Sequence, residues 1–349
     1  KRYLQSQNIH SRAFTKSPLL IERLESGKKF SPFRLISVIH RKLQQKIEKH
    51  FLSSDLGSLS SQGAILEALL LGDRARMNPS DTQSLQKSGI FHIIAISGAH
   101  IAIISFFVFS LLKLFRISTR HSYLLVIGFI LFYAILVEGR ASVVRATIMS
   151  LAFLLGKLIW RNVNLINTIS IAAFILLVHN PFNLFDSGFQ LTFAATLFII
   201  LFFPIIIKYL PRFPLRISEL LAISLSAQLG VMPIMANTFN RVTFSSLILN
   251  FVAVPLTALI MAAGFIFFLL SFASASLAQL LAKGIKILID LLIASSHFFD
   301  QPRFFSYRIP SPHLLTIIGY FVFLCLLLLP SKFKRQKLAF SLCFLAFFA

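Results

Sequence analysis

A serine, a glycine and a histidine interrupt a long hydrophobic run at residues 91–104. Ser97 offers a hydroxyl, Gly98 leaves the backbone accessible, and the imidazole of His100 can donate or accept a hydrogen bond. Hydrocarbon contains no water to bond such groups, so within a membrane segment they normally face protein or a hydrated cavity. The segment therefore predicts a route through a membrane for something polar.

Arg145 is a second candidate, because it lies early in the hydrophobic segment 141–160. An arginine at the centre of a membrane helix costs about 2.5–3.5 kcal/mol on insertion scales. A residue kept at that cost predicts a role in lining a polar path. The structural alternative is that Arg145 reaches the membrane surface or pairs with Glu138.

Other polar side chains occur singly in hydrophobic segments, and they are Gln190, Gln228 and Asn250. A hydrogen bond between membrane helices, worth about 0.6 kcal/mol on average, explains each of them alone. Together they predict a polar interior. The segment 277–299 adds a stripe at helical spacing, formed by Gln279, Lys283, Lys286, Asp290 and His297. Lys283 and Lys286 would face either a pore or the membrane interface.

Two further residues predict local structure. Asp186 precedes a hydrophobic run and can cap the helix that follows by accepting its free N–H groups. Pro255 lies inside the run 244–272, which predicts a bent or discontinuous helix because proline lacks a backbone donor.

Signatures of catalysis are sparse. The sequence has no phosphate-binding P-loop and no cluster of His, Cys and Asp at metal-ligand spacing, so we predict no cofactor and no metal site. Cys325 and Cys343 lie in apolar runs and are predicted to be buried in the membrane. Ser97 with the distant His297 would suggest an intramembrane serine hydrolase, which remains an alternative.

Composition indicates the elements that position these residues. Hydrophobic residues make up 56% of the 349-residue chain and charged residues 13%, with a mean hydropathy of +0.81, whereas soluble domains are about 25% charged. The fold class is therefore an all-α polytopic membrane protein, a bundle of about 8–10 transmembrane or interfacial helices preceded by amphipathic helices. The predicted spans are 92–112, 121–137, 141–160, 165–179, 188–207, 218–237, 244–272, 277–299, 313–329 and 336–349.

The N-terminal region is basic and amphipathic. Apolar residues recur at three- and four-residue steps from Phe33 to Phe51 between lysines and arginines, which predicts a cationic helix at the membrane interface. A second short helix is predicted at 62–71. The short loops hold twelve Lys and Arg on one side and four on the other, so the richer side is predicted to be cytoplasmic and the N-terminal region outside. The net charge of +22 favours an anionic partner, either lipid or nucleic acid.

Five sequence motifs occur in order along the chain: LLLGDRARM (69–77), SGIFHIIAISGAHI (88–101), SVVRATIM (142–149), DSGFQLTF (186–193), and SAQLGVMP followed by LILNFVAVPLTALI (226–260). Over residues 62–349 the set resembles the competence domain of ComEC-type proteins, the inner-membrane DNA-uptake channels of naturally transformable bacteria. Ala99 stands where that family usually has Leu, and Ser187 where it usually has Pro.

The resemblance implies that single-stranded DNA passes into the cytoplasm during natural transformation. It implies membrane lipid, a periplasmic or surface DNA receptor, and a cytosolic helicase or strand-binding protein as partners. The residues that it brings over by motif are Asp73, Arg74, Ser97, Gly98, His100, Arg145, Asp186, Gly188, Gln190, Gln228, Asn250 and Pro255.

The resemblance also divides the chain into domains. Residues 1–12 are expected to be the remnant of an OB-type domain, residues 13–90 a basic amphipathic region, and residues 91–349 the membrane channel. The family's OB-type domain and its metallo-β-lactamase-like domain, to which nuclease activity is attributed, are expected to be placed separately. The chain itself is therefore predicted not to be an enzyme. A transporter for a small anion or a lipid-linked precursor is a further alternative.

Overall fold

The computed structural model of the chain describes residues 32–52, 59–159, 163–211, 213–300 and 306–328. The expected OB-type remnant at 1–12 and the predicted span at 336–349 lie outside these residues.

The described residues form thirteen α-helices, two short 3-10 helices and two short strands. The helices are α1 (Pro32–His50), α2 (Ser61–Leu70), α3 (Pro79–Lys87), α4 (Phe91–Ile94), α5 (Gly98–Leu114), α6 (Thr119–Leu136), α7 (Ala141–Leu158), α8 (Leu165–His179), α9 (Ser187–Tyr209), α10 (Ile217–Phe239), α11 (Ser245–Ala273), α12 (Ala275–Asp300) and α13 (Leu314–Leu328). The 3-10 helices are Pro181–Phe185 and Pro214–Arg216, and the strands are β1 (Arg241–Thr243) and β2 (Ser306–Arg308).

Five of these helices, α6, α7, α9, α10 and α11, are long and apolar enough to cross a membrane. The helices α5 and α8 and part of α13 are apolar but shorter. Prolines fall where the sequence predicted helix ends, at Pro181, Pro211 and Pro310. The prediction of an all-α polytopic membrane protein is confirmed.

Most helices share one hydrophobic core, which we call group one, and its members are α1 to α7 with α11 and α12. Its centre is α2, which is buried from Gly63 to Leu70. A methyl group on Gly264 of α11 would lie 2.6 Å from Leu70 Cδ1, and the Tyr133 hydroxyl donates to the Leu70 carbonyl at 2.9 Å. Close backbone approach and hydrogen bonding therefore fix α2 inside the bundle.

The helices α9, α10 and α13 form a second, smaller core, which we call group two. Phe198, Phe202 and Leu324 are buried there. The two phenylalanine rings stack with centroids 5.2 Å apart, and the Tyr320 hydroxyl donates to the Leu229 carbonyl at 3.0 Å. The bundle thus consists of two helix groups, with α8 packed against α7 and α9.

Two predicted spans are wrong in their continuity. The predicted span 92–112 is broken at residues 95–97, between α4 and α5, so the Ser97–His100 group lies at a helix start and not within a helix. The opposite error concerns Pro255, because α11 runs as one helix through it. Ala253, Leu256 and Thr257 are buried around the proline, so tertiary packing supports the helix on both sides of the lost backbone hydrogen bond.

The amphipathic helix α1 and the short helix α2 are confirmed. The apolar residues of α1 pack on protein, since Leu43 and Ile47 are buried in the group-one core. On its polar side, Gln44 donates to the Glu67 carboxylate at 2.7 Å. Burial raises the pKa of Glu67, and Arg76, which pairs with Glu48, lies 4.0 Å from the same carboxylate. A buried polar network therefore joins α1 to α2.

The two-stranded ribbon was not predicted. It pairs β1 with β2 in antiparallel register, with Val242 opposite Tyr307. Each strand has three residues, too few to produce a pattern that differs from a loop between hydrophobic runs.

Candidate functional site

The N-termini of three helices, α5, α7 and α9, lie side by side. The Ser142 hydroxyl, in the first turn of α7, donates to the Ile96 carbonyl just before α5 at 2.7 Å. A methyl group on Gly98 would lie 3.8 Å from Ala146 Cβ, and Arg145 of α7 contacts Asp186, which caps α9. Because free N–H groups give each helix start a partial positive charge, their convergence favours anions.

Ser97 and His100 form the start of α5. The backbone N–H of Ser97 donates to His100 Nδ1 at 3.3 Å, and the Ser97 hydroxyl lies 3.0 Å from the same nitrogen. Since Nδ1 accepts, the hydrogen-bond geometry assigns the ring proton to Nε2. His100 is 1% exposed, and its Nε2 has no partner among the described residues. The site therefore holds a buried donor that lacks an acceptor.

Arg145 is buried, with 8% of its surface exposed, and it pairs with Asp186. The distance from Arg145 Nη1 to Asp186 Oδ1 is 3.3 Å, and the same oxygen accepts the Phe189 N–H at 2.8 Å. The predicted cap at Asp186 is confirmed, whereas the alternative pairing of Arg145 with Glu138 is wrong. A Cβ on residue 188 would lie 3.0 Å from Arg145 Nη2, so Gly188 makes room for the guanidinium.

The remaining polar candidates make hydrogen bonds close to group two. Asn250 of α11 donates to the Ser224 hydroxyl of α10 at 3.4 Å, and Gln228 of α10 donates to the Thr243 carbonyl of β1 at 3.4 Å. Gln190 donates to the carbonyl of Leu184, six residues earlier in the chain, at 2.9 Å. Asn250 Oδ1 is buried and finds no donor in the described part of the chain.

Two of these contacts join group one to group two. Arg145 on α7 meets Asp186 at the start of α9, and Asn250 on α11 meets Ser224 on α10. We call the surface defined by these four residues and Gln228 the interhelical seam. Polar contacts close the seam. Hydrogen bonds between membrane helices are weak on average, so they can be exchanged for other partners.

The polar stripe on α12 contacts Phe51, Gln62 and Asp81. Lys286 Nζ lies 5.4 Å from the centroid of the Phe51 ring, and Lys283 is exposed. Asp290 accepts a hydrogen bond from Gln62 at 2.7 Å, and His297 lies 4.0 Å from Asp81. His297 therefore lies beside Asp81, and no described contact joins it to Ser97. The described contacts of the stripe do not include residues of the seam.

The LGDR segment forms the turn after α2. Asp73 accepts the N–H of Ala75 at 3.0 Å, and the Arg74 guanidinium stands over the Phe91 ring, 5.4 Å from its centroid. The sequence analysis named both residues only through the family resemblance, and it did not single out Ser224. The four-residue spacing of Ser224 and Gln228, which places both on one face of α10, is the pattern that could have identified it.

A cleft of about 670 Å³ lies away from the seam, between α1 and the turn from α6 to α7. Its lining includes His40, Arg41 and Gln44 of α1 with Leu136, Glu138 and Gly139. The candidate pore residues do not line this cleft, and the seam is closed. Among the described residues there is no group of three or more His, Cys, Asp or Glu that could hold a metal ion.

The fold and the site define a multi-pass α-helical membrane protein with polar residues at converging helix starts and between two helix groups. The chain belongs to the competence protein family, whose model, described as "Competence protein", matches residues 69–334.

Two curated proteins are similar in sequence to the chain. ComE operon protein 3 of Bacillus subtilis (strain 168) is 29% identical over 294 residues, which is 83% of this chain and 37% of that protein. An uncharacterized protein of Aquifex aeolicus (strain VF5) is 26% identical over 237 residues, which is 68% of this chain and 51% of that protein. The chain thus spans between about a third and a half of the length of these relatives. No solved structure matches the chain.

Proposed function

We propose that the chain is the inner-membrane channel through which single-stranded DNA enters the cytoplasm during natural transformation. The observation that carries the proposal is the buried Arg145, which lies where three helix starts converge and keeps its Nε without a partner among the described residues. Family membership supports a role in competence, and the similar protein of Bacillus subtilis is named ComE operon protein 3.

The proposed path is the interhelical seam. Bare hydrocarbon excludes a strand that carries one phosphate charge per nucleotide, so the path needs donors that exchange one partner for another. Arg145, Gln228 and Asn250 supply such donors. Phosphate oxygens replace Asp186 on Arg145 and Ser224 on Asn250 as the two helix groups part. Contacts of moderate strength at several sites permit movement, because a single tight site would hold the strand.

Gln190, Gly98 and His100 extend this route toward the start of α5, and Lys283 and Lys286 provide charge on α12 near residues 51–81. In this orientation the basic N-terminal region lies outside and captures the polyanion before it reaches the seam. Phenylalanine rings that face the path stack on bases, at about 1–3 kcal/mol for each base.

The proposal assigns the remaining steps to partners. A periplasmic or surface receptor delivers DNA, and a cytosolic helicase or strand-binding protein pulls the strand inward. An OB-type domain and a metallo-β-lactamase-like domain act from elsewhere, and the latter degrades the second strand. The channel itself moves the strand without chemical change.

The hydrolase alternative paired Ser97 with His297, but His297 lies 4.0 Å from Asp81. The histidine that contacts Ser97 is His100, whose Nδ1 lies 3.0 Å from Ser97 Oγ. That nitrogen also accepts the Ser97 N–H, which makes it part of a helix cap. A catalytic histidine needs a partner that orients its second nitrogen, and within the described residues His100 Nε2 has none. The geometry favours a capping role for Ser97.

Import of labelled DNA into cells tests the function. Cells that make the chain are expected to accumulate DNA that resists added nuclease, and cells that lack it are expected to accumulate none. The purified chain in liposomes is expected neither to exchange phosphate nor to react at Ser97 with a fluorophosphonate probe. DNA-independent phosphate exchange would establish an anion transporter, and probe labelling that disappears in Ser97→Ala would establish the hydrolase.

A further inference from the structure

Two arginines outside the seam lie beside the starts of α5 and α7. Arg140 immediately precedes α7, and its side chain crosses Gly72, since a methyl group on Gly72 would lie 3.2 Å from Arg140 Nε and 2.9 Å from Ile96 Cδ1. Gly72 has a φ of +79°, a conformation that other residues rarely adopt. The turn that leads to Arg74 therefore brings residues 72–74, 96 and 140 together.

Arg74 and Arg140 are like charges without a counter-ion. Of the ion pairs in the described ranges, none involves either guanidinium. Burial, and after it the charge of Arg140, lowers the pKa of Arg74, although arginine stays protonated at neutral pH. Two cations held close together in a partly buried place repel each other, and an anion bound between them would remove that repulsion.

Two buried donors belong to the residues of this turn and of the start of α5. The Nε of Arg74 and the Nε2 of His100 are both inaccessible to solvent and have no acceptor among the described residues. His100 is 1% exposed, and Arg74 is close enough for its charge to act on the imidazole. Each of these unsatisfied atoms is a donor, so the missing partner is an acceptor.

The surroundings also suit an anion with several oxygens. Gly98 and Ala99, in the first turn of α5, are exposed, so their free N–H groups are accessible. Arg140 is the residue before α7 and makes no side-chain cap there. The centroid of the Phe91 ring lies 5.4 Å from Arg74 Cζ, so the ring packs against the guanidinium.

We propose that Arg74, Arg140 and His100 form a phosphate-binding site, and that its occupant is a phosphodiester of the incoming strand. This assignment rests on the proposed import function. The lining of the cleft that contains His40 and Arg41 also includes Glu138 and Gly139, which are next to Arg140 in the sequence. A strand in that cleft would be close to the site, which makes it an entry point before the seam.

Binding of a fluorescent oligothymidylate across a salt series tests the site. The 349-residue chain is placed in nanodiscs of zwitterionic phosphatidylcholine, and the double variant of Arg74→Gln and Arg140→Gln is compared with wild type. Each phosphate contact contributes about −0.7 to the slope of log K against log salt for single strands. The variant is expected to bind about tenfold more weakly and to lose about 0.7 of slope for each contact removed.

The matched control is the double variant of Arg116→Gln and Arg120→Gln. These arginines are exposed beyond the other end of α5, about 25 Å along the helix, and their loss changes the net charge equally. The control is expected to keep the wild-type slope. A site variant with the wild-type slope would overturn the proposal, because a purely structural role leaves the number of contacted phosphates unchanged.

Nanodiscs that contain phosphatidylglycerol separate the strand from a lipid headgroup. The strand assignment predicts that the slope difference persists there. Native mass spectrometry that finds phosphatidylglycerol on wild type but not on the site variant, together with loss of the slope difference, would overturn it. Import by wild-type cells is measured in parallel. If wild-type cells import DNA but the site variant has the wild-type slope, only the proposed phosphate site is refuted. If wild-type cells import no DNA, the proposed function on which the site rests is refuted.

Discussion

Replacement of Arg145 by glutamine is expected to reduce import of nuclease-resistant DNA by about 10- to 100-fold. Hydrogen bonds to charged groups contribute about 1.5–3 kcal/mol, and a barrier raised by that amount slows a step by this factor. Glutamine keeps a donor of similar length but loses the charge. Import is measured with labelled DNA at matched levels of membrane-inserted protein.

The Arg145–Asp186 pair requires a control for its structural role. Removing one partner of a buried ion pair costs about 3–5 kcal/mol of folding stability. The pair here is only partly buried, since the side chain of Asp186 is 23% exposed. Asp186 also caps α9. Asp186→Asn removes the same ion pair and keeps the cation. If both variants lose import equally, Arg145 acts through structure. The proposal expects Asp186→Asn to retain much more import than Arg145→Gln, and wild-type import by Arg145→Gln would remove this residue from the mechanism.

Replacement of Gly230 by valine is expected to lower the free energy of unfolding by about 3 kcal/mol, the upper end of the usual cost of overpacking. A Cβ at this position would lie 2.8 Å from the Ala194 carbonyl oxygen and 2.8 Å from Phe198 Cγ. Because one of these atoms belongs to the backbone of α9, a rotamer change cannot relieve the contact. The helices α9 and α10 must separate, which disrupts the core of group two. The amount of folded protein after mild heating in detergent measures the effect.

Gly128→Val is the matched control for this prediction. No heavy atom lies within 4 Å of a Cβ built at Gly128, and this residue lies on an exposed face of α6. The same side chain is therefore accommodated there with little change in stability. Equal stability of the two variants would show that α9 and α10 do not approach as closely as the structure indicates.

Much of the fold followed from hydrophobic patterning alone. Long apolar runs predicted α6 to α11. The helix α8 is an example, because Asn164 caps its start and Pro181 follows its end. Patterning failed where tertiary contacts decide. The break at residues 95–97 lies inside the hydrophobic run 91–104, and Pro255 lies inside a helix that its neighbours support. Hydropathy reflects neither the local backbone break nor the support that neighbouring helices give to α11.

The site was only partly predictable. The cost of a buried charge singled out Arg145, and cap chemistry singled out Asp186, but their pairing joins residues 41 positions apart. Arg140 resembled an ordinary loop cation, because its significance comes from Gly72 and Arg74 beside it in space. Residue types predict which groups can bind phosphate, while the packing of separate helices determines which groups meet.

The proposed path depends on separation of the two helix groups at the seam, and a reversible cross-link tests this most directly. Cysteines replace Ser224 and Asn250, whose side chains are 3.4 Å apart, after Cys325→Ser and Cys343→Ser have removed the native thiols. The control pair is Ser84→Cys with Ser296→Cys, which joins two hydroxyls 3.3 Å apart within group one. Oxidation of the seam pair is expected to stop the import that the reduced variant retains, in proportion to the cross-linked fraction, and reduction is expected to return import to that level. Oxidation of the control pair is expected to leave import unchanged. Undiminished import through a fully cross-linked seam would contradict the account.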